Sequence, residues 1–324
     1  MFLRLNGTHW LNQPLLRYAV PDLTSGRSEA SSRNNPGELS RPPLRLTAKL
    51  TWDNSVSSEE VVMQRNTVKE RLKAGECVYG TSLEDCLDPE IAVVLGATGL
   101  DFFFVDTEHS PANYSQIQAL CRAGRSAGIV PLVRVTENEL DLISRALDVG
   151  AMGIIIPRLR RVEAVRAAID VIKFPPLGHR GFGLRAIVTD LRPGSAVEQV
   201  ESANRETMVV PMIETKEALD CVEEIAALPG VDALFIGPYD LTLSLGILEQ
   251  FDSPIFWGAV DRVIAAAEKA GVAAGLQSSL IPLLLEARRR GARFLLYSSD
   301  VAVLLQGYKL AVRQLKGNSS IGSV

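Results

Sequence analysis

The chain has 324 residues, 47% of them apolar and 22% charged, and its 34 Lys and Arg against 38 Asp and Glu leave a formal charge of −4. That composition excludes a disordered chain, and the near balance of charge gives no general attraction to nucleic acid or to an anionic membrane surface. The longest uncharged run, Ala270–Leu285, has 16 residues and is interrupted by Gln277, Ser278, Ser279 and Pro282, where a spanning helix needs roughly 20 apolar residues; a soluble, cytoplasmic protein is expected.

Residues 1–57 stand apart, because RSEASSRNNPGELSRPP shows neither helical nor strand periodicity and is expected to be disordered or loosely attached. No apolar core follows a basic start, so a secretory signal is not expected. Seven basic and three acidic residues between Met1 and Leu50 leave a transit peptide or an extended translation start as alternatives. A single domain is expected over 58–317, followed by a flexible tail at 318–324. It opens with SSEEVVMQRNTVKERLKAGE, which carries a Ser/Glu start and a late Gly and predicts one helix.

After it come eight short apolar runs: Cys77–Leu83, Phe102–Asp106, Val130–Val135, Gly153–Pro157, Met208–Glu214, Ala233–Gly237, Ala273–Ser278 and Phe294–Ser298. Amphipathic stretches such as SQIQALCRAGRSAG, KEALDCVEEIAALPG and FWGAVDRVIAAAEKAG separate them, several ending in Gly. Runs apolar on both faces, each followed by a helix, predict a parallel sheet covered by helices. Eight units in roughly 250 residues predict an α/β fold of the (β/α)8 TIM-barrel type. The rival, a doubly wound open sheet, lacks its usual GxGxxG or GxxxxGK[ST] signal here. The four cysteines, Cys77, Cys86, Cys121 and Cys221, form no CxxC pair and suit free thiols of a reducing compartment.

In such a barrel, reactive side chains project from the C-terminal ends of strands. VDTEHSP ends the second strand with Asp106, Glu108 and His109; VRV ends the third with Arg134; PMIET ends the fifth with Glu214; FIGPYDL follows the sixth with Asp240. An acid at the end of an apolar strand loses water and calls for a cation or a donor. Two carboxylates from different strands, with no His or Cys beside them, suit a hard divalent ion such as Mg²⁺. The alternative is that Glu214 and Asp240 cap the helices that follow them. His109, among acids in a strand-to-helix loop, is either a general base or a paired surface histidine. Arg134 needs an anionic partner, either a substrate carboxylate or a neighbouring acid such as Asp106 or Glu214. Asp148, at a helix end before the fourth strand, falls on the opposite rim as a cap or subunit contact. The loop FPPLGHRGFG, with His179 and Arg180, covers the site or meets a partner. Gln277 to Ser279 end the seventh strand with substrate contact left open.

The strings NTVKERLKAGE, GLDFFFVDTEHSP, VPLVRV, ALDVGAMGIIIP, FPPLGHRGFG, VVPMIET and FIGPYDLTLSLG resemble, in order and spacing, the HpcH/HpaI aldolase family of metal-dependent pyruvate aldolases over about Asn66 to Leu315. The resemblance implies a TIM barrel of the phosphoenolpyruvate/pyruvate group, usually a homo-hexamer with its last helix exchanged between subunits. It implies Glu214 and Asp240 as ligands of Mg²⁺ or Mn²⁺, Arg134 on the pyruvyl oxygens, and His109 as acid/base oriented by Asp106. Asp148 would support a site across a subunit boundary, and Gly237, Pro238 and Tyr239 would lie against the substrate carboxylate. Met212 stands where such proteins have a Gln that bonds substrate, and Tyr239 replaces a small Ala beside the metal aspartate.

These parts fit cleavage of a 4-hydroxy-2-oxo acid to pyruvate and an aldehyde: a cation and Arg134 to stabilise the enolate charge, and His109 to take the hydroxyl proton. No strand end offers the lysine of a Schiff-base aldolase. Rival expectations are decarboxylation of oxaloacetate, an acyl-CoA lyase, for which no basic groove is obvious, and a non-catalytic barrel.

Overall fold

The computed structural model describes residues 63–136, 140–183 and 188–317. The expectations for 1–57 and 318–324, and the boundary at residue 58, lie outside the described residues.

In chain order the elements are α1 (Thr67–Lys73), β1 (Val78–Leu83), α2 (Glu90–Gly96), β2 (Phe102–Asp106), α3 (Tyr114–Ser126), β3 (Val130–Arg134), α4 (Leu140–Asp148) and β4 (Gly153–Ile156). Then follow α5 (Val162–Ile172), α6 (Ala196–Glu206), β5 (Met208–Ile213), α7 (Lys216–Asp220), α8 (Val222–Ala226), β6 (Ala233–Ile236), α9 (Pro238–Ser244), α10 (Pro254–Ala270), β7 (Ala273–Ser278), α11 (Ile281–Arg290), β8 (Phe294–Ser299) and α12 (Asp300–Leu315). The strands pair in parallel and in sequence order, and β8 returns to β1 to close the barrel. All eight predicted strands are present, within a residue at either end.

The helix predicted from Ser57 is shorter than expected. Met63 to Asn66 are not helical, and α1 starts only after Asn66, whose side chain accepts the Lys69 N–H at 3.1 Å. The Asn66 amide donates to the carbonyls of Met152 (3.0 Å) and Glu206 (2.9 Å), so a tertiary bond fixes the helix start where the local pattern favoured continuation. The predicted helix KEALDCVEEIAALPG breaks at Cys221 into α7 and α8. Elsewhere local signals hold: Asn113/Gln116 and Ser195/Glu198 form capping boxes on α3 and α6, and left-handed Gly271 and Gly291 stop α10 and α11.

Two apolar layers hold the fold. One, including Phe103, Val105, Ile154, Ile156, Leu234 and Ile236, lies between strands and helices. The other fills the barrel with Phe102, Phe104, Leu132, Met208, Phe235 and Phe294. Phe102 and Phe294 stack at 4.4 Å. Gly80 and Gly275 make room for them, because a Cβ would stand 2.4 Å from the Phe102 ring at one and 1.7 Å from the Phe294 carbonyl at the other. Among the described residues, no helix is long and apolar enough to cross a membrane.

Candidate active site

Strand alternation decides which side chains meet at the mouth. Phe102 and Phe104 point inward while Phe103 and Val105 point outward, so the next inward position on β2 is Asp106. The same parity leads from Val130 and Leu132 to Arg134, and from Met208, Val210 and Met212 to Glu214. Each inward row is apolar below and polar at its last place.

Asp106 and Arg134 sit opposite each other in the β2/β3 register. Arg134 Nε donates to Asp106 Oδ1 at 2.9 Å and Nη2 to Oδ2 at 2.6 Å. Burial opposes the guanidinium charge, but the bonds and charge of Asp106, helped by Glu108, outweigh it and hold Arg134 above its ordinary pKa. The partner of Arg134 is therefore the neighbouring acid, and its Nη1 faces the cavity, 3.4 Å from Glu108 Oε2 and 4.0 Å from Met212 Sδ. The sulfur is a weak acceptor where an amide would have been a strong one.

His109 is half-exposed in the loop after β2, with Nε2 3.8 Å from Glu108 Oε2. The expected orientation of His109 by Asp106 is not what the fold builds. Both Asp106 oxygens are taken by Arg134, and Oδ1 also accepts the Glu108 N–H at 2.9 Å, so Glu108 is the carboxylate beside the imidazole.

Glu214 and Asp240 do not cap helices. Thr215 caps α7 through its hydroxyl, Gly237 precedes α9, and Asp240 is the third residue of α9. Both acids line a cavity of about 250 Å³ with Arg158, Arg160, Thr215 and Ser244. Asp240 also lines an adjoining cavity of about 270 Å³ with His109, Arg134, Met212, Gly237, Pro238 and Tyr239. Among the described residues, no lysine lines either one. Glu214 is buried, and loss of water, reinforced by the charges of Asp240 and Glu108, pushes its carboxyl up to about 7 against the Arg158 backbone N–H that donates to it. A Cβ on Gly237 would stand 2.6 Å from Glu214 Oε2, so glycine keeps this oxygen clear.

Among the described residues, no three His, Cys, Asp or Glu side chains cluster as a ready-made metal site. Two carboxylates from different elements that line one cavity, beside open space, fit a hard divalent ion that takes its other ligands from water and substrate. Zinc, which takes three or four protein ligands, fits poorly.

Tyr239 is half-exposed, its ring edge-on to Phe251 at 5.2 Å. Asp148 is not among the residues lining these cavities. It ends α4, at the opposite end of the barrel, and accepts from the buried Arg180 guanidinium at 2.7 Å. Arg180 lies over the Phe174 ring, while His179 is exposed and paired with Asp170 at 2.6 Å.

Arg158 is the residue that sequence reasoning missed. Its side chain donates to Glu108 and its backbone to Glu214, and its φ of +53° turns that N–H inward. A left-handed arginine in PRLRR leaves no local signal, since such a conformation is normally written with Gly or Asn.

Residues 86–306 match the HpcH/HpaI aldolase/citrate lyase family. The chain is 33% identical over 229 residues to a 2-dehydro-3,6-dideoxy-6-sulfogluconate aldolase of Pseudomonas putida, covering 71% of this chain and 89% of that one. It is 32% identical over 256 residues to a hydroxypyruvate/pyruvate aldolase of Paraburkholderia phytofirmans, covering 78% and 98%. The crystal structure of an HpcH/HpaI aldolase from Desulfitobacterium hafniense superposes with a TM-score of 0.73 at 36% identity, covering 77% of this chain and 96% of that one.

Proposed function

The chain belongs to the HpcH/HpaI aldolase/citrate lyase family, and from that premise we propose that it is a divalent-metal-dependent aldolase cleaving a 4-hydroxy-2-oxo acid into pyruvate and an aldehyde. The observation that carries this reading is Asp240, which joins the cavity of Glu214 to the cavity of Arg134 and His109. Glu214 and Asp240 would hold Mg²⁺ or Mn²⁺, which when bound supplies Lewis-acid stabilisation for the negative charge that builds on the pyruvyl fragment.

The chain's own residues do the rest. Arg134, locked by two bonds to Asp106, presents Nη1 as a fixed donor to the pyruvyl oxygens and spends no reorganisation as charge develops. His109, whose Nε2 lies 3.8 Å from Glu108 Oε2, takes the proton of the C4 hydroxyl. As that proton leaves, the C3–C4 bond breaks, its electron pair passes into the enolate of pyruvate, and the aldehyde departs. Protonation at C3 completes the turnover. Gly237, Pro238 and the exposed Tyr239 in the first turn of α9 lie along the pyruvyl end.

Self-association is part of the proposal. α12 leaves Leu304, Leu305, Tyr308, Val312 and Leu315 exposed, and an apolar groove of about 220 Å³ runs along Tyr79, Ile281, Leu284, Leu285, Leu295 and Tyr297. A hexamer that exchanges α12 would cover both, and light scattering of the intact chain tests it. Asp148 and Arg180 then belong to a subunit boundary rather than to this chain's own cavity. The four free cysteines suit a cytoplasmic location.

The activity test is pyruvate release from a 4-hydroxy-2-oxo acid before and after EDTA, with Mg²⁺ or Mn²⁺ restored. Glu214→Ala and Asp240→Ala should each abolish metal binding by titration calorimetry. A rate indifferent to EDTA overturns the metal reading, and turnover of oxaloacetate alone overturns the aldol one.

A further inference from the structure

The arc of the mouth from β7 through β8 to β1 takes no part in the chemistry above, yet it is polar throughout. Gln277, Ser278, Ser279, Ser298 and Ser299, with Glu84, complete the wall of the cavity that holds His109 and Arg134. Gln277 follows Ala273 in the inward row of β7. Its Nε2 donates to Ser298 O and Ser82 Oγ, both at 3.2 Å. A carbonyl can only accept, so the nitrogen is the atom that faces it, and Oε1 keeps its capacity to accept.

The β8 edge is built to serve the same wall. The β1/β8 register advances two residues on β1, Gly80 to Ser82, against three on β8, Leu296 to Ser299, so β8 carries a bulge. Ser298 within it adopts φ +56°, a conformation strained for a non-glycine residue and one that clusters at ligand sites. The bulge directs the Ser298 carbonyl to Gln277 Nε2, Ser82 Oγ and Thr81 Oγ1, and its hydroxyl to Ser279 Oγ at 3.2 Å. Ser278 Oγ accepts from Leu280 N at 3.0 Å and keeps its own proton to donate, and Ser299 heads α12 without making a capping bond.

Among the described residues this arc carries no cationic side chain, and Glu84 would repel an anion. Its chemistry is that of neutral donors and acceptors in a space too small for a long chain. We infer that the aldehyde half of the substrate is held by Gln277, Ser278, Ser279 and Ser298 and is a short, uncharged, hydroxylated aldehyde, rather than an alkyl aldehyde or an acid semialdehyde. The parent substrate is then a 2-oxo acid with hydroxyls at C4 and beyond. This inference rests on the aldolase reading and deepens it.

The test runs the reaction as condensation of pyruvate, in Mg²⁺, with glyceraldehyde, propanal or succinic semialdehyde, products being quantified by mass spectrometry. Solvent deuterium exchange into the pyruvate methyl group, followed by NMR without any aldehyde, reports enolate formation separately. Glyceraldehyde should exceed both rivals in kcat/KM by about tenfold or more, since unmatched hydrogen-bonding groups penalise the other two. Gln277→Leu should lower the glyceraldehyde-to-propanal ratio by about tenfold, and Ser279→Ala should move it the same way by less. Ratios are independent of the fraction of folded enzyme, so a poorly folding variant still gives an answer. No exchange into pyruvate refutes the aldolase reading. Exchange with no preference for glyceraldehyde, or a ratio unchanged in both variants, overturns the hydroxyl-recognising wall.

Discussion

In a chelated sample, Glu214 should make the protein less stable as pH rises, the reverse of a usual carboxylate. The side chain is 3% exposed, faces the charges of Asp240 and Glu108, and has its carboxyl pushed from 4.5 up to about 7. Between these values the folded chain keeps a proton that the unfolded chain has released. Stability from this group is therefore full below pH 4.5, falls through the window and is gone above pH 7 or so. At about 1.4 kcal/mol per pH unit the displacement is worth roughly 3 kcal/mol. Urea unfolding in EDTA at about pH 5 and about pH 8, on wild type and Glu214→Gln, measures it. Gln keeps an oxygen for the Arg158 N–H and cannot ionise, so the pH dependence should shrink by that amount in the variant. Adding Mg²⁺ should stabilise wild type at the higher pH, because the ion binds the ionised carboxylate. Parallel pH dependence of the two proteins in EDTA would refute the claim that burial and the acids around Glu214 outweigh the Arg134 charge, and with it the physical case for a cation beside Asp240.

Asp106→Ala strands a buried guanidinium and should cost about 3 kcal/mol, the low end for a broken buried pair because Glu108 remains near Nη1; Asp106→Ala with Arg134→Leu should recover much of that loss, and additive unfolding energies would contradict it. His109→Ala should keep metal affinity by calorimetry and lose about 10²–10⁴-fold in kcat, whereas unchanged turnover removes His109 from the mechanism. Asn66→Ala removes the α1 cap and two buried donors, for an expected loss of about 2–4 kcal/mol in chemical unfolding.

The sequence by itself determined the barrel and, Arg158 apart, the charged residues of its rim. Eight apolar runs alternating with amphipathic stretches are local patterns, each written by which neighbours in the chain must be buried, and strand parity then places Asp106, Arg134 and Glu214 at the mouth. What only the tertiary structure decided is who pairs with whom. Asp106 meets Arg134 because the β2/β3 register sets them opposite, which diverts Asp106 from His109 and leaves Glu108 there. The left-handed turns at Arg158 and Ser298, the bulge in β8, and the start of α1 at Asn66 likewise answer to partners far along the chain. Local periodicity reports burial, but a hydrogen bond between distant residues exists only once the register of the sheet has been fixed.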